Sequence, residues 1–379
     1  MKLFHLSDLH LGKRVNDYSM LEDQRFILKQ ILALVDTEEP SCVLLAGDIY
    51  DKPVPSTEAI ELFDFFIAAL ASRGIRLLAI SGNHDSPERL SFGHDIFKTQ
   101  GIFFSPVYNG VTEPVILTDE YGDVCFYLLP FLKPVNVKRF FPDCEINSYT
   151  DALDLAIKNM NIDKGRRNIL LTHQFVTGAE RSDSEEISVG GSDNVDCSVL
   201  EGFDYVALGH IHKAQTAGAE HIRYSGTPLK YSFSEVSHTK SVTVVDIKEK
   251  GDIKIELLPL SPLRDMREIK GSYDELIQKS FYDGTSLQSD YIKIILTDEL
   301  DVPDAAAKLR IAYKNLMKLE YDNTRTRHQA AELASTDDDN RAPLDFICEL
   351  YEKQNGCGLT PEQSDYIISI LEKLEEESL

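Results

Sequence analysis

Five times along this chain a short apolar run stops at a cluster of polar side chains. Lys2–Leu6 runs into Ser7-Asp8-Leu9-His10, Cys42–Ala46 into Gly47-Asp48-Ile49-Tyr50-Asp51, and Leu77–Ile80 into Ser81-Gly82-Asn83-His84-Asp85. Further on, Asn168–Thr172 meets His173-Gln174-Phe175, and Tyr205–Leu208 meets Gly209-His210-Ile211-His212. Apolar runs of this length, bounded by turn formers, read as buried strands. A helix is predicted from about Ser19 to Thr37, with Phe26, Ile27, Ile31 and Leu34 on its buried face. Ser56 is placed to cap a second, ending near Ser72. Three strand–cluster–helix passes in succession imply a mainly parallel sheet with crossover helices. Such a sheet presents its chemistry at the carboxyl ends of its strands.

From Gly101 to Phe131 the pattern changes to short strands, with turns at Asn109-Gly110 and Tyr121-Gly122-Asp123. A helix near Thr150–Met160 and a polar loop over Glu180–Asn194 follow. Strands at Tyr224-Ser225, Ser241–Asp246 and Ile253–Leu258 close a first domain, residues 1–262. Residues 263–334 read as a small α+β unit, with a strand at Tyr291–Leu296 and a helix over Asp304–Leu316. Residues 335–342 form an acidic linker. Residues 343–379 predict two helices broken at Gly356-Cys357-Gly358, the second opened by Thr360-Pro361-Glu362-Gln363 in the pattern of a capping box. Ile367, Ile370, Leu371 and Leu374 line one face of it. Short helices without a core of their own, set behind an acidic linker, point to docking on a partner helix, with docking on the parent domain as the alternative.

Charge complicates any polyanionic substrate. The net charge is −24, and the acidic excess falls on both sides of residue 260. Counterion release therefore supplies no strong general grip on nucleic acid. Local cations, bound metal or a partner must hold a polyanion; short basic spots stand at Lys13-Arg14, Arg89, Lys133, Lys138-Arg139 and Arg166-Arg167, and Lys13, Arg14 and Arg89 are the candidates for contact with it. No run is long and apolar enough to span a bilayer, and Met1–His5 opens a strand where a signal peptide would show an apolar stretch. Six cysteines with no CxxC pair fit reduced thiols in a cytoplasmic protein.

The clusters carry the chemistry. Asp8 and His10, like His210 and His212, stand two apart on extended chain and face the same way. Asp8, His10, Asp48, Asn83, His173, His210 and His212 make a mixed set of carboxylate, imidazole and amide donors. Such a set suits a borderline-hard divalent ion, Mn²⁺ before a thiolate-seeking metal. It is too large for one ion and about right for two that share a carboxylate. Two metals polarise a phosphoryl oxygen and activate water for in-line attack. The leaving alkoxide needs a proton, and His84, directly after a ligand, is placed to give it. Asp51 and Asp85 are expected to hydrogen-bond the ligands rather than bind metal. His5, His94, His221, His238 and His328 follow no such strand and are expected to be ordinary core or surface histidines.

Taken together, Asp8-Leu9-His10, Gly47-Asp48, Gly82-Asn83-His84-Asp85, His173 and Gly209-His210-Ile211-His212 resemble the calcineurin-like metallophosphoesterases. Longer segments, among them Gly82–Gly93, Ala207–Gln215 and Tyr224–Glu235, resemble the SbcD nuclease family of bacteria over about the first 260 residues. The resemblance implies an α/β, four-layer sandwich of two β-sheets flanked by helices, with a small α+β capping domain and C-terminal helices. It implies one Mn²⁺ on Asp8, His10, Asp48 and His212 and a second on Asp48, Asn83, His173 and His210, with Asp48 bridging. It also implies a homodimer working with an SbcC-type, SMC-like ATPase that receives residues 343–379. The implied activities are a 3′→5′ exonuclease on duplex DNA ends and an endonuclease on single strands and hairpins, in DNA repair, recombination and replication. Archaeal and eukaryotic relatives carry a histidine where this chain has Asp51. A small-molecule phosphodiesterase of the same superfamily and a catalytically dead scaffold are the competing readings. A phosphoprotein phosphatase is disfavoured by Asp51-Lys52 and His84-Asp85, where those enzymes carry Asp-Arg and His-Glu.

Overall fold

The computed structural model describes residues 1–183, 185, 193–327 and, further on, 347, 348, 350–352, 358–361, 363, 364, 366 and 367. In chain order, β1 (Lys2–Leu6), α1 (Leu21–Glu38), β2 (Cys42–Ala46), α2 (Thr57–Ser72), β3 (Arg76–Ile80) and β4 (Ile102–Phe104) alternate as the pattern predicts. A hairpin of β5 (Pro114–Asp119) and β6 (Gly122–Leu128) follows. Then come α3 (Tyr149–Lys158), β7 (Arg167–His173), β8 (Tyr205–Gly209), β9 (Gln215–Ala217), β10 (Ala219–Tyr224), β11 (Ser241–Ile247) and β12 (Ile253–Pro259).

These strands make two six-stranded sheets, one in the order β12-β11-β1-β2-β3-β4 and the other β9-β10-β8-β7-β6-β5. Within the first, β1 through β4 are parallel and β11 is antiparallel to β1. In the second, β6, β7, β8 and β10 run parallel. The sheets face each other across a layer that includes Leu3, Leu44, Leu78, Phe126, Leu171 and Ala207. The outer face of the first sheet packs on α1 and α2, and that of the second on α3. Side chains alternate between layers: Leu3 points between the sheets while Phe4 and Leu6 meet the helices. A strand covered on both faces must be apolar throughout, which is why the runs are continuous rather than alternating. The four-layer sandwich is therefore the observed fold.

Local signals account for the helices. The Ser56 hydroxyl accepts from Ala59 N at 3.3 Å, capping α2 as expected. Along α1 the buried stripe is Ile27, Leu28, Ile31, Leu32 and Val35, and Phe26 is 39% exposed. The expected face was thus offset, because Phe26 and Ile27 cannot both sit at the centre of one helical stripe.

After the sandwich come β13 (Met266–Gly271), β14 (Tyr291–Leu296), α4 (Ala305–Ala312) and β15 (Asn315–Tyr321), whose strands form a three-stranded sheet. The helix expected over Asp304–Leu316 stops at Ala312, and Leu316 lies in β15. The run Leu316-Met317-Lys318-Leu319 suits either period, and pairing in the sheet overrides helix propensity there.

By contacts, Met1–Ile295 with Val302–Glu320 form one unit and Leu296–Asp301 with Tyr321–Leu379 another. Both sheets of the sandwich belong to the first. In the second, Arg325 pairs with both carboxylate oxygens of Asp301 at 2.8 and 3.1 Å. Thr360 and Gln363 form the expected capping box: Gln363 N donates to Thr360 Oγ1 at 3.3 Å and Thr360 N to Gln363 Oε1 at 2.9 Å. The acidic linker, His328 and most of the helices predicted in 343–379, including Ile370, Leu371 and Leu374, lie outside the described residues. Among described residues, no helix is long and apolar enough to cross a membrane.

Candidate metal centre

The first three clusters end strands of one sheet and the last two end strands of the other. The sandwich brings all five to a single rim. Close approach at the rim, between the sheets at Gly209 and between neighbouring loops at Gly82, depends on glycine. A Cβ on Gly209 would fall 1.8 Å from the Ala46 carbonyl oxygen, and one on Gly82 would fall 2.1 Å from Asp48 Oδ1. Asp8, His10, Asp48 and His210 all adopt positive φ, at 53°, 43°, 49° and 100°. Each such non-glycine residue stores about 1–3 kcal/mol of strain and persists only where its surroundings over-determine it. Here the loops are laced together: Asp8 N donates to Gly47 O at 3.0 Å, and His10 N to Asp48 O at 2.9 Å.

The rim gathers the sequence-predicted residues closely. Asp48 is central, with Oδ2 at 3.3 Å from His173 Nε2, 3.7 Å from His10 Nε2 and 3.9 Å from His84 Nε2. Asn83 Oδ1 lies 3.0 Å from His173 Nε2 and 3.1 Å from His210 Nδ1. Asp8 accepts from His210 N at 3.0 Å, and its carboxylate groups with His10 and His212 as a further candidate set. His10, Asp48 and His84 also fall within ligand distance of one another. His84 is the partly exposed member, and its Nδ1 donates to the Asp51 carbonyl at 3.1 Å, which leaves Nε2 facing the rim.

The donor set fits a cation. His173 Nδ1 donates to the Ala46 carbonyl at 2.8 Å, so a neutral ring carries its lone pair on Nε2. Facing that lone pair are two oxygen acceptors, from Asp48 and Asn83. Acceptors meet acceptors only with a proton or a metal ion between them. Both ring nitrogens of His10 are likewise buried without a hydrogen-bond partner.

Without metal, a proton takes the cation's place. Burial disfavours the charged ring of His173, yet the Asp48 carboxylate outweighs it and raises the pKa to about 9. Burial alone would raise Asp48, and His173 instead holds it well below the usual range. Asp8 is pushed up to about 6 by burial, while burial lowers His210 to about 3. A metal held by His173 and Asp8 would have to displace the His173 proton below pH 9 and the Asp8 proton below pH 6. Mn²⁺ affinity should therefore rise with pH, by about tenfold per unit for each proton displaced. Titration calorimetry in buffers of different ionisation heat will show proton release on Mn²⁺ uptake. An affinity flat from pH 5.5 to 8.5 would refute this account.

Asp51 and Asp85 were expected to hydrogen-bond the ligands; Asp85 instead holds backbone groups beside them, and Asp51 lies near His10 without a hydrogen bond to it. Asp85 accepts from Ile49 N, Tyr50 N and Gly82 N at 3.1, 2.9 and 2.9 Å, pinning two of the clusters together. Asp51 Oδ1 lies 3.7 Å from His10 Nδ1 and takes an ion pair from Lys13 at 2.8 Å. Arg14 is exposed, and Arg89 borders an apolar hollow beside α2. His5 is a core histidine, hydrogen-bonded to Tyr205 OH at 2.9 Å.

Sequence reasoning passed over several supports. Gln24 of α1 donates to His10 O at 2.7 Å and accepts from Gly12 N at 3.0 Å. The Tyr231 hydroxyl donates to Leu9 O at 2.5 Å. Glu235 is buried against His212 and Lys240, which hold it ionised well below the usual range against the cost of burial. Glu235 closes the Tyr224–Glu235 segment that carries the family resemblance, which was the available signal; its burial with Lys240 shows only in the structure, where such residues are almost never fully buried unless paired.

Carboxylates, imidazoles and an amide converging on such a rim define a metal-dependent hydrolase of phosphate esters. The calcineurin-like phosphoesterase family matches residues 1–214, and the Type 5 capsule protein repressor C-terminal domain matches residues 262–355. The chain is 33% identical over 378 residues to the SbcD component of nuclease SbcCD from Staphylococcus epidermidis, covering 98% of each. It is 34% identical over 385 residues to the same component from Staphylococcus saprophyticus, covering 100% of this chain and 99% of the other. A solved dimetal phosphatase from Danio rerio superposes with a TM-score of 0.38 at 12% identity, over 69% of this chain and 99% of its own. The chain belongs to the calcineurin-like phosphoesterases and, within them, to the SbcD family of nuclease SbcCD components.

Proposed function

We propose that this chain is the nuclease component of a DNA-processing complex, hydrolysing phosphodiester bonds with two divalent ions, Mn²⁺ preferred. The observation that carries the reading is the facing of His173 Nε2 by Asp48 and Asn83 oxygens, with His84 beside them. Asp8, His10, Asp48 and His212 would hold one ion, and Asp48, Asn83, His173 and His210 the other. When bound, such ions polarise the phosphoryl oxygen and lower the pKa of water. The chain's own residues orient and protonate. Asp85 keeps the Asp48 and Asn83 loops in register, and His84, when it carries a proton on each ring nitrogen with Nδ1–H on the Asp51 carbonyl, gives the leaving 3′ or 5′ oxygen the proton on Nε2.

Substrate and partners follow from family and surface. The relatives are named as components of nuclease SbcCD, which supports DNA as substrate and an SbcC-type ATPase as partner, received by residues 343–379. The activities proposed are 3′→5′ exonuclease on duplex ends and endonuclease on single strands and hairpins. Residues 263–334 would cap the nuclease domain, 1–262. With a net charge of −24, much of the DNA grip would fall to metal and partner. Lys13 and Arg14, just after His10, would add local contacts, and Arg89 a more distant one. A homodimer would cover the apolar surface of α2 and Leu90–Ile102. Phe92 is 82% and Ile96 74% exposed there, beside a hollow of about 280 Å³. The complex would work in the cytoplasm, at the nucleoid.

The test is Mn²⁺-dependent cleavage of single-stranded DNA by the purified chain, beside a generic bis-phosphodiester. In the same assay His84→Gln should bind Mn²⁺ like the parent and lose about 10²–10⁴-fold in turnover. Turnover of the small diester with no DNA cleavage would replace this proposal with a small-molecule phosphodiesterase. Full activity of His84→Gln would remove His84 from the mechanism.

A further inference from the structure

The metal group of Asp8, His10 and His212 is backed by charges that none of the five sequence clusters contains. Glu235 is wholly buried, and its Oε1 lies 3.4 Å from His212 Nδ1. The same oxygen accepts from Tyr231 N at 3.2 Å. Its Oε2 is held by Lys240 Nζ at 2.5 Å, and that ammonium also donates to the His212 carbonyl at 2.8 Å and to Thr227 Oγ1 at 2.7 Å. Lysine thus grips His212 twice, through its backbone directly and through its ring by way of the carboxylate. A second ion pair borders the same group without hydrogen-bonding its ring: Lys13 holds Asp51, whose Oδ1 lies 3.7 Å from His10 Nδ1.

A buried ion pair of this kind needs a reason, because hydrophobic residues of equal volume are often as stable or more so. The reason here is tautomer control. An imidazole offers metal only the nitrogen that carries no proton, and a carboxylate at one nitrogen fixes the proton there. Building on the metal-centre reading above, we propose that Glu235 and Lys240 are positioning residues. They hold the His212 proton on Nδ1 and so reserve Nε2 for the ion shared with Asp8 and His10.

The pairing makes one substitution unusually informative. In Glu235→Gln the amide oxygen turns to the Lys240 ammonium, because NH₂ against that charge costs more than NH₂ against the neutral Tyr231 N–H that it then meets. The NH₂ then faces His212 Nδ1, drives the ring proton to Nε2 and blocks the ligating nitrogen. In Glu235→Gln/Lys240→Met nothing charged dictates that choice. The amide can turn its oxygen back to His212 and Tyr231 N, and the original tautomer returns.

The experiment is Mn²⁺ titration of the full chain by electron paramagnetic resonance, with ¹⁵N-histidine spectra of the metal-free protein. The parent should show two Mn²⁺ sites and a His212 proton on Nδ1. Glu235→Gln should weaken one site by about 10–100-fold, spare the other and move the His212 proton to Nε2. The double variant should recover most of the lost affinity, which a merely structural lesion would not do on adding a second. Equal weakening of both sites, an unmoved tautomer, or no recovery in the double variant would overturn the proposal. A parent that binds no Mn²⁺ would sink the metal-centre reading with it. Normal Mn²⁺ responses without DNA cleavage would leave this proposal standing and remove only the substrate assignment.

Discussion

Asp48→Asn should abolish phosphodiester cleavage, lowering turnover by at least about 10³-fold, or roughly 4 kcal/mol of transition-state stabilisation. The carboxylate is the hub of the rim, with three histidines within 3.9 Å of Oδ2 and His84 N donating to Oδ1 at 2.9 Å. Asp8 also falls within ligand distance of His10 and His212 and, separately, of Asp48 and His173, but it is on Asp48 that three imidazoles converge. An amide of the same shape keeps the loop contact but removes the charge that both ions share. It also removes the counter-charge that raises His173, so the metal-free ring should titrate well below 9. Mn²⁺ stoichiometry and His173 titration by NMR check the two halves of this expectation separately. Two Mn²⁺ bound at parental affinity in Asp48→Asn would show that the sites do not share this residue.

Gly209→Ala should be the most damaging single methyl group in the sandwich, costing about 3 kcal/mol or more of stability. The added Cβ would sit 1.8 Å from Ala46 O, a backbone atom of the facing sheet that has no room to retreat. That same oxygen accepts the His173 Nδ1 proton, so the damage should reach the site as well as the core. Urea denaturation reads the first effect and Mn²⁺ affinity the second. Gly202→Ala is the control, because nothing lies within 4 Å of a Cβ there and its backbone is not left-handed. Equal stability of the two variants would mean that the sheets are not packed this closely at the rim.

The particular errors show how far local pattern reaches. The strands were legible because both faces of each central strand are covered, so their sequences are apolar without interruption. Capping groups such as Ser56 and Thr360 were legible because their partners lie within three residues. Phe26 was misplaced because one residue of helical phase separates a buried side chain from a half-exposed one. Leu316 was misplaced because its run suits two periods and a distant strand decides between them. Glu235, Lys240 and Gln24 passed unnoticed because their meaning lies in what they touch: Gln24 is bound to a loop 14 residues away, and Lys240 to the carbonyl of His212, 28 residues away.

By itself, then, the sequence determined which elements form, which residue types stand at their ends and what class of ion those types prefer. Each of these depends on chain neighbours, whose geometry the covalent backbone dictates. Tertiary structure alone decided that five clusters from two different sheets meet at one rim. It also decided which ring nitrogen each histidine offers and which carboxylate sits beside which imidazole. Those properties arise from contacts between groups far apart in the chain, made only when the sheets pack closely enough for Gly209 to rest on Ala46.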